Sequence, residues 1–162
     1  MSSEEGLDSK KKEYHSNGKL KYEGEYLNGK RHGKGKEYDY KGRLEFEGEY
    51  SNGERNGNGK EYASDGKIDF EGEFLNGERW NGKGKEYNSN GKLKYEGEYL
   101  NGERNKNGKE YKDDGELLFE GEYFFGKKNG KGKEYKDNGE IDFEGEYLYG
   151  KRWNEKEQKY FN

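Results

Sequence analysis

The segment Tyr22-Glu23-Gly24-Glu25-Tyr26-Leu27-Asn28-Gly29-Lys30-Arg31-His32-Gly33-Lys34-Gly35 decides how this chain folds. Its first half alternates aromatic or glycine with glutamate, the period-two pattern of a strand with two unlike faces. Asn28-Gly29 then supplies a tight turn, and an alternating Gly/Lys run returns to Tyr38. An Asn-Gly step between alternating runs is the strongest short-range hairpin signal. Glycine inside each run argues against helix, at about 1 kcal/mol each relative to alanine.

The hairpin recurs. Gly24, Gly48, Gly72, Gly97, Gly121 and Gly145 each sit in an acidic-Gly-Glu triplet, at spacings of 24, 24, 25, 24 and 24. The longer third and sixth units carry Trp80 and Trp153 in the basic loop. Connections are too short for crossovers, so successive strands run antiparallel. The expected fold is all-β: an elongated single-layer antiparallel meander of about twelve short strands, one hairpin per repeat. Residues 1–10 are expected to form a flexible polar tail and residues 11–162 the six-repeat array.

Composition agrees with an unusual core. Charged residues make up 42% of the chain and hydrophobic ones 25%, a balance typical of disorder. The net charge is only −4, however, and 16 tyrosines and 8 phenylalanines replace the missing aliphatics. Cysteine is absent, which excludes disulfides and thiolate metal sites. No run approaches the ~20 apolar residues of a membrane helix, and Met1 to Lys12 lacks the apolar stretch of a signal peptide.

Alternation puts Tyr22, Gly24 and Tyr26 on one face and Glu23 and Glu25 on the other. With a four-residue loop, Glu25 lies opposite Lys34, Glu23 opposite Lys36, and Tyr26 opposite Gly33. Across the next turn the same arithmetic sets Lys36 against Glu45 and Phe46 against Gly35, then Glu47 against Lys60 and Lys60 against Asp69. One face is thus a Glu/Lys checkerboard, and the other carries rings lying on glycine backbone.

Three sets of residues stand out as interaction candidates. The first is the aromatic face: Tyr22, Tyr26, Phe46, Tyr50, Phe70, Phe74, Tyr95, Tyr99, Phe119, Tyr123, Phe143 and Tyr147. With no second layer to cover it, this face is expected to be a partner-binding trough. The second is a row of loop cations, Arg31, Arg55, Arg79, Arg104, Lys128 and Arg152, expected along one margin as an anion-binding edge. The third is Trp80 and Trp153, either interface anchors or rings that fill space in the lengthened loops.

These residues resemble the MORN repeat, with the pattern Tyr-x-Gly-x(4)-Gly-x(3)-Gly-x-Gly. Tyr22 to Gly35 fits it in full, and Phe46 to Gly59 and Phe119 to Gly132 fit with Phe first. Phe70 to Gly84 carries one inserted residue, Lys106 replaces a glycine in the fourth unit, and Glu155 and Glu157 replace two in the last. Longer units ending in Lys-Glu-Tyr look more like the MORN-variant form. The resemblance implies a single-layer sheet used as a protein-interaction platform, and membrane or phosphoinositide association has been proposed for the family.

Chemistry is poorly supported. His15 and His32 occupy different phases of the repeat, in a turn and a loop, so no metal or cofactor site is expected. Gly77 to Gly84 nearly spells a phosphate loop, but Gly84 stands where Ser or Thr is needed and no helix follows. Carboxylates faced by lysines do not separate their pKa values as catalytic pairs do. Nucleic acid is disfavoured because the aromatic rows lack an electropositive groove. The leading expectation is therefore a cytoplasmic, non-catalytic scaffold that binds a protein or itself, with no small-molecule substrate. The alternative is a peripheral binder of anionic membranes, working at a membrane or cytoskeletal periphery.

Overall fold

The computed structural model describes residues 8–154 and 159–161. The expected tail lies outside these residues as far as Leu7. The first strand, β1 (Asp8–Tyr14), begins three residues ahead of the expected start of the array. Six hairpins follow: β2 (Leu20–Leu27) with β3 (Lys30–Tyr38), β4 (Leu44–Ser51) with β5 (Glu54–Tyr62), and β6 (Ile68–Leu75) with β7 (Glu78–Tyr87). Then come β8 (Leu93–Leu100) with β9 (Glu103–Tyr111), β10 (Leu117–Phe124) with β11 (Lys127–Tyr135), and β12 (Ile141–Leu148) with β13 (Lys151–Asn154). A last strand, β14 (Lys159–Phe161), pairs with β13. The twelve strands expected from one hairpin per repeat are β2 to β13. The two additional ones lie at the ends, and no helix occurs among the described residues.

The chain divides into two compact units, Met1–Trp80 and Asn81–Asn162. Each is an antiparallel meander in which strand order follows chain order. In the first unit the hairpin turns are two residues long. Asn28 (φ 51°) and Gly29 (φ 76°) both occupy the left-handed region, which defines the type I′ turn that matches strand twist. Tyr26 accordingly faces Arg31, not Gly33 as a four-residue loop would require. The register slips between there and the Gly24–Gly35 pair, where β3 bulges at Gly33 (φ 61°). Glu25 is therefore not aligned with Lys34; its carboxylate accepts the Lys34 backbone N–H at 3.2 Å and fills the space a Gly33 Cβ would take.

The turn between repeats spans five residues. Asp39 N–H donates to the Arg43 carbonyl, Gly42 N–H donates to Asp39, and the same pair of bonds recurs at each inter-repeat turn. The fifth turn residue and a second bulge, between the Glu37 and Tyr38 pairings, together shift the register by two from the one expected. Lys36 faces Glu47, not Glu45, and Phe46 faces Glu37, not Gly35. Likewise Glu47 pairs with Lys60 as expected, but Lys60 meets Glu71 and not Asp69, which is the bulged residue. A shift of two preserves face assignment, so the alternation of aromatic and charged faces survives the correction.

Candidate functional site

The aromatic face is the core. In the first unit Tyr22, Phe46 and Phe70 are fully inaccessible, and Tyr26, Tyr50 and Phe74 are nearly so. Tyr22 and Phe46 lie over glycine backbone: a Cβ on Gly59 would sit 2.5 Å from Phe46 Cζ, and one on Gly35 only 2.6 Å from Tyr22 Cζ. Edge-to-face contacts link the rings in a zigzag, Tyr22 to Tyr50 at 5.2 Å, Phe46 to Tyr50 at 5.5 Å and Phe46 to Phe74 at 5.0 Å. The second unit repeats this with Tyr95, Phe119, Tyr123 and Tyr147 buried, and Tyr99 and Phe143 packed against them.

What covers a face with no second layer is the row of loop cations. The type I′ turn moves Arg31 out of the loop and onto β3, opposite Tyr26, so its side chain lies on the aromatic side. Its guanidinium carbon is 4.1 Å from the Tyr22 centroid. Arg55 sits 4.3 Å from the Phe46 centroid, Arg79 5.1 Å from Phe70, Arg104 4.0 Å from Tyr95 and Arg152 4.7 Å from Phe143. In the fifth repeat Lys128 Nζ is 4.1 Å from Phe119. Such stacking is worth up to ~2 kcal/mol when desolvated.

Each cation also bridges two carboxylates. Arg31 is bidentate to Glu13 at 2.9 Å through Nε and Nη2, and donates to Glu37 at 3.1 Å. Arg55 reaches back to Glu37 at 3.0 Å and forward to Glu61 at 2.5 Å. Arg79 takes Glu61 at 2.5 Å and the bulged Asp69 at 2.6 Å. In the second unit Arg104 joins Glu86 (2.6 Å) to Glu110 (2.9 Å), Lys128 joins Glu110 to Glu134, and Arg152 joins Glu134 to Asp142. Tyrosine hydroxyls complete the set: Tyr50 donates to Glu37 and Tyr99 to Glu86, each at 2.7 Å.

The carboxylates respond to this setting. The Arg31 guanidinium holds Glu13 down at about 2. Burial pushes Glu37 up, but hydrogen bonds from Arg55 and Tyr50 outweigh it and leave the group below its usual range. Hydrogen bonding to Arg104 lowers Glu86 against the opposing effect of burial.

These placements revise two expectations. The twelve rings do not line an open trough, because they are packed and capped. The six cations do not project as a basic margin; Arg31 keeps only 17% of its side chain exposed, and each is committed to carboxylates. The glutamate of each Lys-Glu-Tyr triplet went unassigned from sequence, although its period matches that of the arginines. Trp80 and Trp153 are half-buried, and Trp153 pairs with Glu146 across the sheet. His15 is part-buried, with Nε2 2.8 Å from the Tyr38 carbonyl oxygen.

The open surface is the charged face. In the first unit it forms a groove of about 850 Å³, running across the strands from Lys12 to Glu71. Its floor is the glycine row Gly24, Gly35, Gly48, Gly59 and Gly72, and its walls alternate in charge. One wall is internally paired, Lys36 to Glu47 at 3.4 Å and Lys60 to Glu71 at 3.1 Å. Tyr38 and Tyr62 brace it by donating to Glu23 and Glu47, at 2.7 and 2.6 Å. Along the other wall, Glu25 and Glu49 are tied to bulge N–H groups, and the exposed Lys34 ammonium has no carboxylate within ion-pair distance among the described residues. No group of three or more His, Cys, Asp or Glu among the described residues could hold a metal ion, and no helix among them is long and apolar enough to cross a membrane.

A repeated hairpin with a sealed aromatic side and an open polar side defines a β-repeat protein. The chain belongs to the MORN repeat family: the MORN repeat matches residues 22–42, 46–68, 95–116 and 119–141, and the MORN repeat variant matches 7–28 and 80–101. No curated protein matches the chain. MORN repeats serve generally as protein- and membrane-interaction motifs in scaffolds.

Proposed function

We propose that this protein is a non-catalytic scaffold that holds a protein partner in the groove of its charged face. One observation carries the reading: the aromatic face is closed by its own arginines, while the glycine-floored groove is open along its length. The missing side chains of these glycines would point to the aromatic face, so the groove floor is main chain lying between the charged walls, which a partner segment can reach. Walls of alternating sign set the register of the bound segment and favour one carrying both charges. The same feature weighs against an anionic-membrane reading through the loop cations, since these are consumed in the Arg–Glu ladder.

A displayed peptide library, panned on the intact chain, tests this. Peptides selected on the wild type are expected to lose about tenfold or more in affinity on Lys36→Glu/Lys60→Glu, a loss of ~1.4 kcal/mol or more. They are expected to bind unchanged to Ser64→Glu, at an inter-repeat turn. Binders indifferent to the groove change, or equally sensitive to Ser64, would place the working surface elsewhere.

A further inference from the structure

The chain contains a longer period than its hairpin. Residues 15–87 and 88–160 align without a gap, and Ser16 to Gly29 recurs unchanged as Ser89 to Gly102. The first block is therefore an internal reference for the second. Groove glutamates and glycines are retained, Glu47 as Glu120 and Gly48 as Gly121, among others. Two of the three hairpin tips are not. Ser51-Asn52-Gly53-Glu54 becomes Phe124-Phe125-Gly126-Lys127, and Asn76-Gly77-Glu78 becomes Tyr149-Gly150-Lys151.

These replacements work against folding. Asn52 and Asn76 sit at φ 53° and 49°, and Phe125 and Tyr149 occupy the same left-handed backbone at 46° and 52°. Asparagine tolerates that region; an aromatic residue pays roughly 1–2 kcal/mol there. Nor do the new rings bury themselves, being 51%, 60% and 69% exposed at Phe124, Phe125 and Tyr149. Phe124 and Phe125 touch each other edge-to-face at 4.5 Å, outside the core. Strain and exposed aromatic area kept together at one margin point to a contact made outside the fold.

The complementary surface is on the same chain. The tips of the second and third repeats present Glu54 and Glu78 at the positions where the fifth and sixth present Lys127 and Lys151. Leu75, beside the third tip, is 38% exposed and offers apolar area to a ring. Both margins are built on one repeat, so successive tips recur about every two strands, ~10 Å apart, on each. Two lysines can thus meet two glutamates in step. An anionic bilayer is the poorer match, because the chain as a whole carries net charge −4.

We propose that the aromatic-lysine tips at Phe125 and Tyr149 dock on the glutamate tips at Glu54 and Glu78 of a second copy of this chain. This contact is separate from the groove and independent of what the groove holds. Sedimentation equilibrium of the full chain should show reversible association that weakens with added salt. Phe125→Asn/Tyr149→Asn restores residues the first block already uses, so it folds, and association should fall about tenfold or more. Lys127→Glu/Lys151→Glu and Glu54→Lys/Glu78→Lys should each be monomeric alone, yet associate with one another when mixed. A wild type that stays monomeric throughout, or an association untouched by these changes, overturns the proposal. So does a monomer that instead binds phosphatidylserine vesicles through Phe125 and Tyr149.

Discussion

Arg55 lies over Phe46 and binds Glu37 of the preceding repeat, so one side chain closes the core and couples two repeats. Glu37 is the common acceptor, receiving Arg31, Arg55 and the Tyr50 hydroxyl. Only ~20% of the carboxylate side chain is exposed, in keeping with a pair whose rupture costs far more than a surface ion pair. Glu37→Ala should lower unfolding free energy by about 3 kcal/mol, and Arg55→Lys, which keeps charge but loses the fork, by about 1 kcal/mol. Urea unfolding measures both. Equal small losses would mean that the ladder is ornamental. In the fifth repeat nature has made the lysine choice, and Lys128→Arg should raise stability by several tenths of a kcal/mol or more.

Glycines of the two kinds should respond differently to alanine. At Gly59 an added methyl would meet Phe46 Cζ at 2.5 Å and Cε2 at 2.6 Å, with no room for the ring to move off its backbone bed. Overpacking of this sort costs ~1–3 kcal/mol or more. At Gly66 (φ 81°) nothing lies within 4 Å, so Gly66→Ala carries only the left-handed backbone cost of about 1 kcal/mol. Thermal melts of the two variants should differ by several degrees, with Gly59→Ala the lower.

Much of this was legible in the glycine and tyrosine spacing. Parity alone separates Tyr22 from Glu23, and a shift of two residues cannot undo it. The register was less legible, because bulges at Gly33 and at Glu45 insert residues that no turn motif announces. The fate of the arginines hinged on loop length. Counting four loop residues leaves Arg31 near the tip, whereas the two-residue turn that Asn28-Gly29 dictates puts it on the strand beside Tyr26. That placement brings the guanidinium over the Tyr22 ring and closes the aromatic face.

Lys106 supplies a repair test in the other direction. It is the non-glycine residue of the fourth-repeat bulge, at φ 52°, where Gly33, Gly57 and Gly130 stand in other repeats. Its ammonium lies 3.7 Å from Glu98 and is mostly exposed, so little is lost by removing it. Relief of left-handed strain should let Lys106→Gly gain ~0.5–1 kcal/mol, read as a higher urea midpoint with unchanged slope. A loss would show that the Glu98 contact outweighs the backbone.

Acid should unfold the chain through its ladder. Glu13 titrates at about 2 in the folded protein, chiefly because Arg31 donates to it, against 4.5 for an unperturbed glutamate. A lowered folded pKa means that the unfolded chain takes up the proton first. Stability from this group is complete above pH 4.5 and is lost as pH falls towards 2. Glu37 and Glu86, lowered in the same direction, add to the slope. Circular dichroism between these limits should show the folded fraction dropping, and Glu13→Gln should flatten the dependence. Identical acid profiles for wild type and variant would remove Glu13 from the account.

Alkali should act through the tyrosines bracing the groove, with the opposite sign. The Tyr62 hydroxyl donates to Glu47 at 2.6 Å, and this bond, with burial, pushes it up to about 12. Tyr38, desolvated and bonded to Glu23, reaches about 12 as well. A raised folded pKa makes the unfolded chain lose its proton first, so the contribution is whole below pH 10 and gone above about 12. Tyrosinate absorbance should therefore appear late and cooperatively, together with loss of the β-sheet signal. Glu47→Gln removes the charge that Tyr62 opposes in ionising, so part of the absorbance should move to lower pH while the sheet is still intact. If the titration of Glu47→Gln overlays that of the wild type, the Tyr62–Glu47 bond does not brace the groove wall in solution.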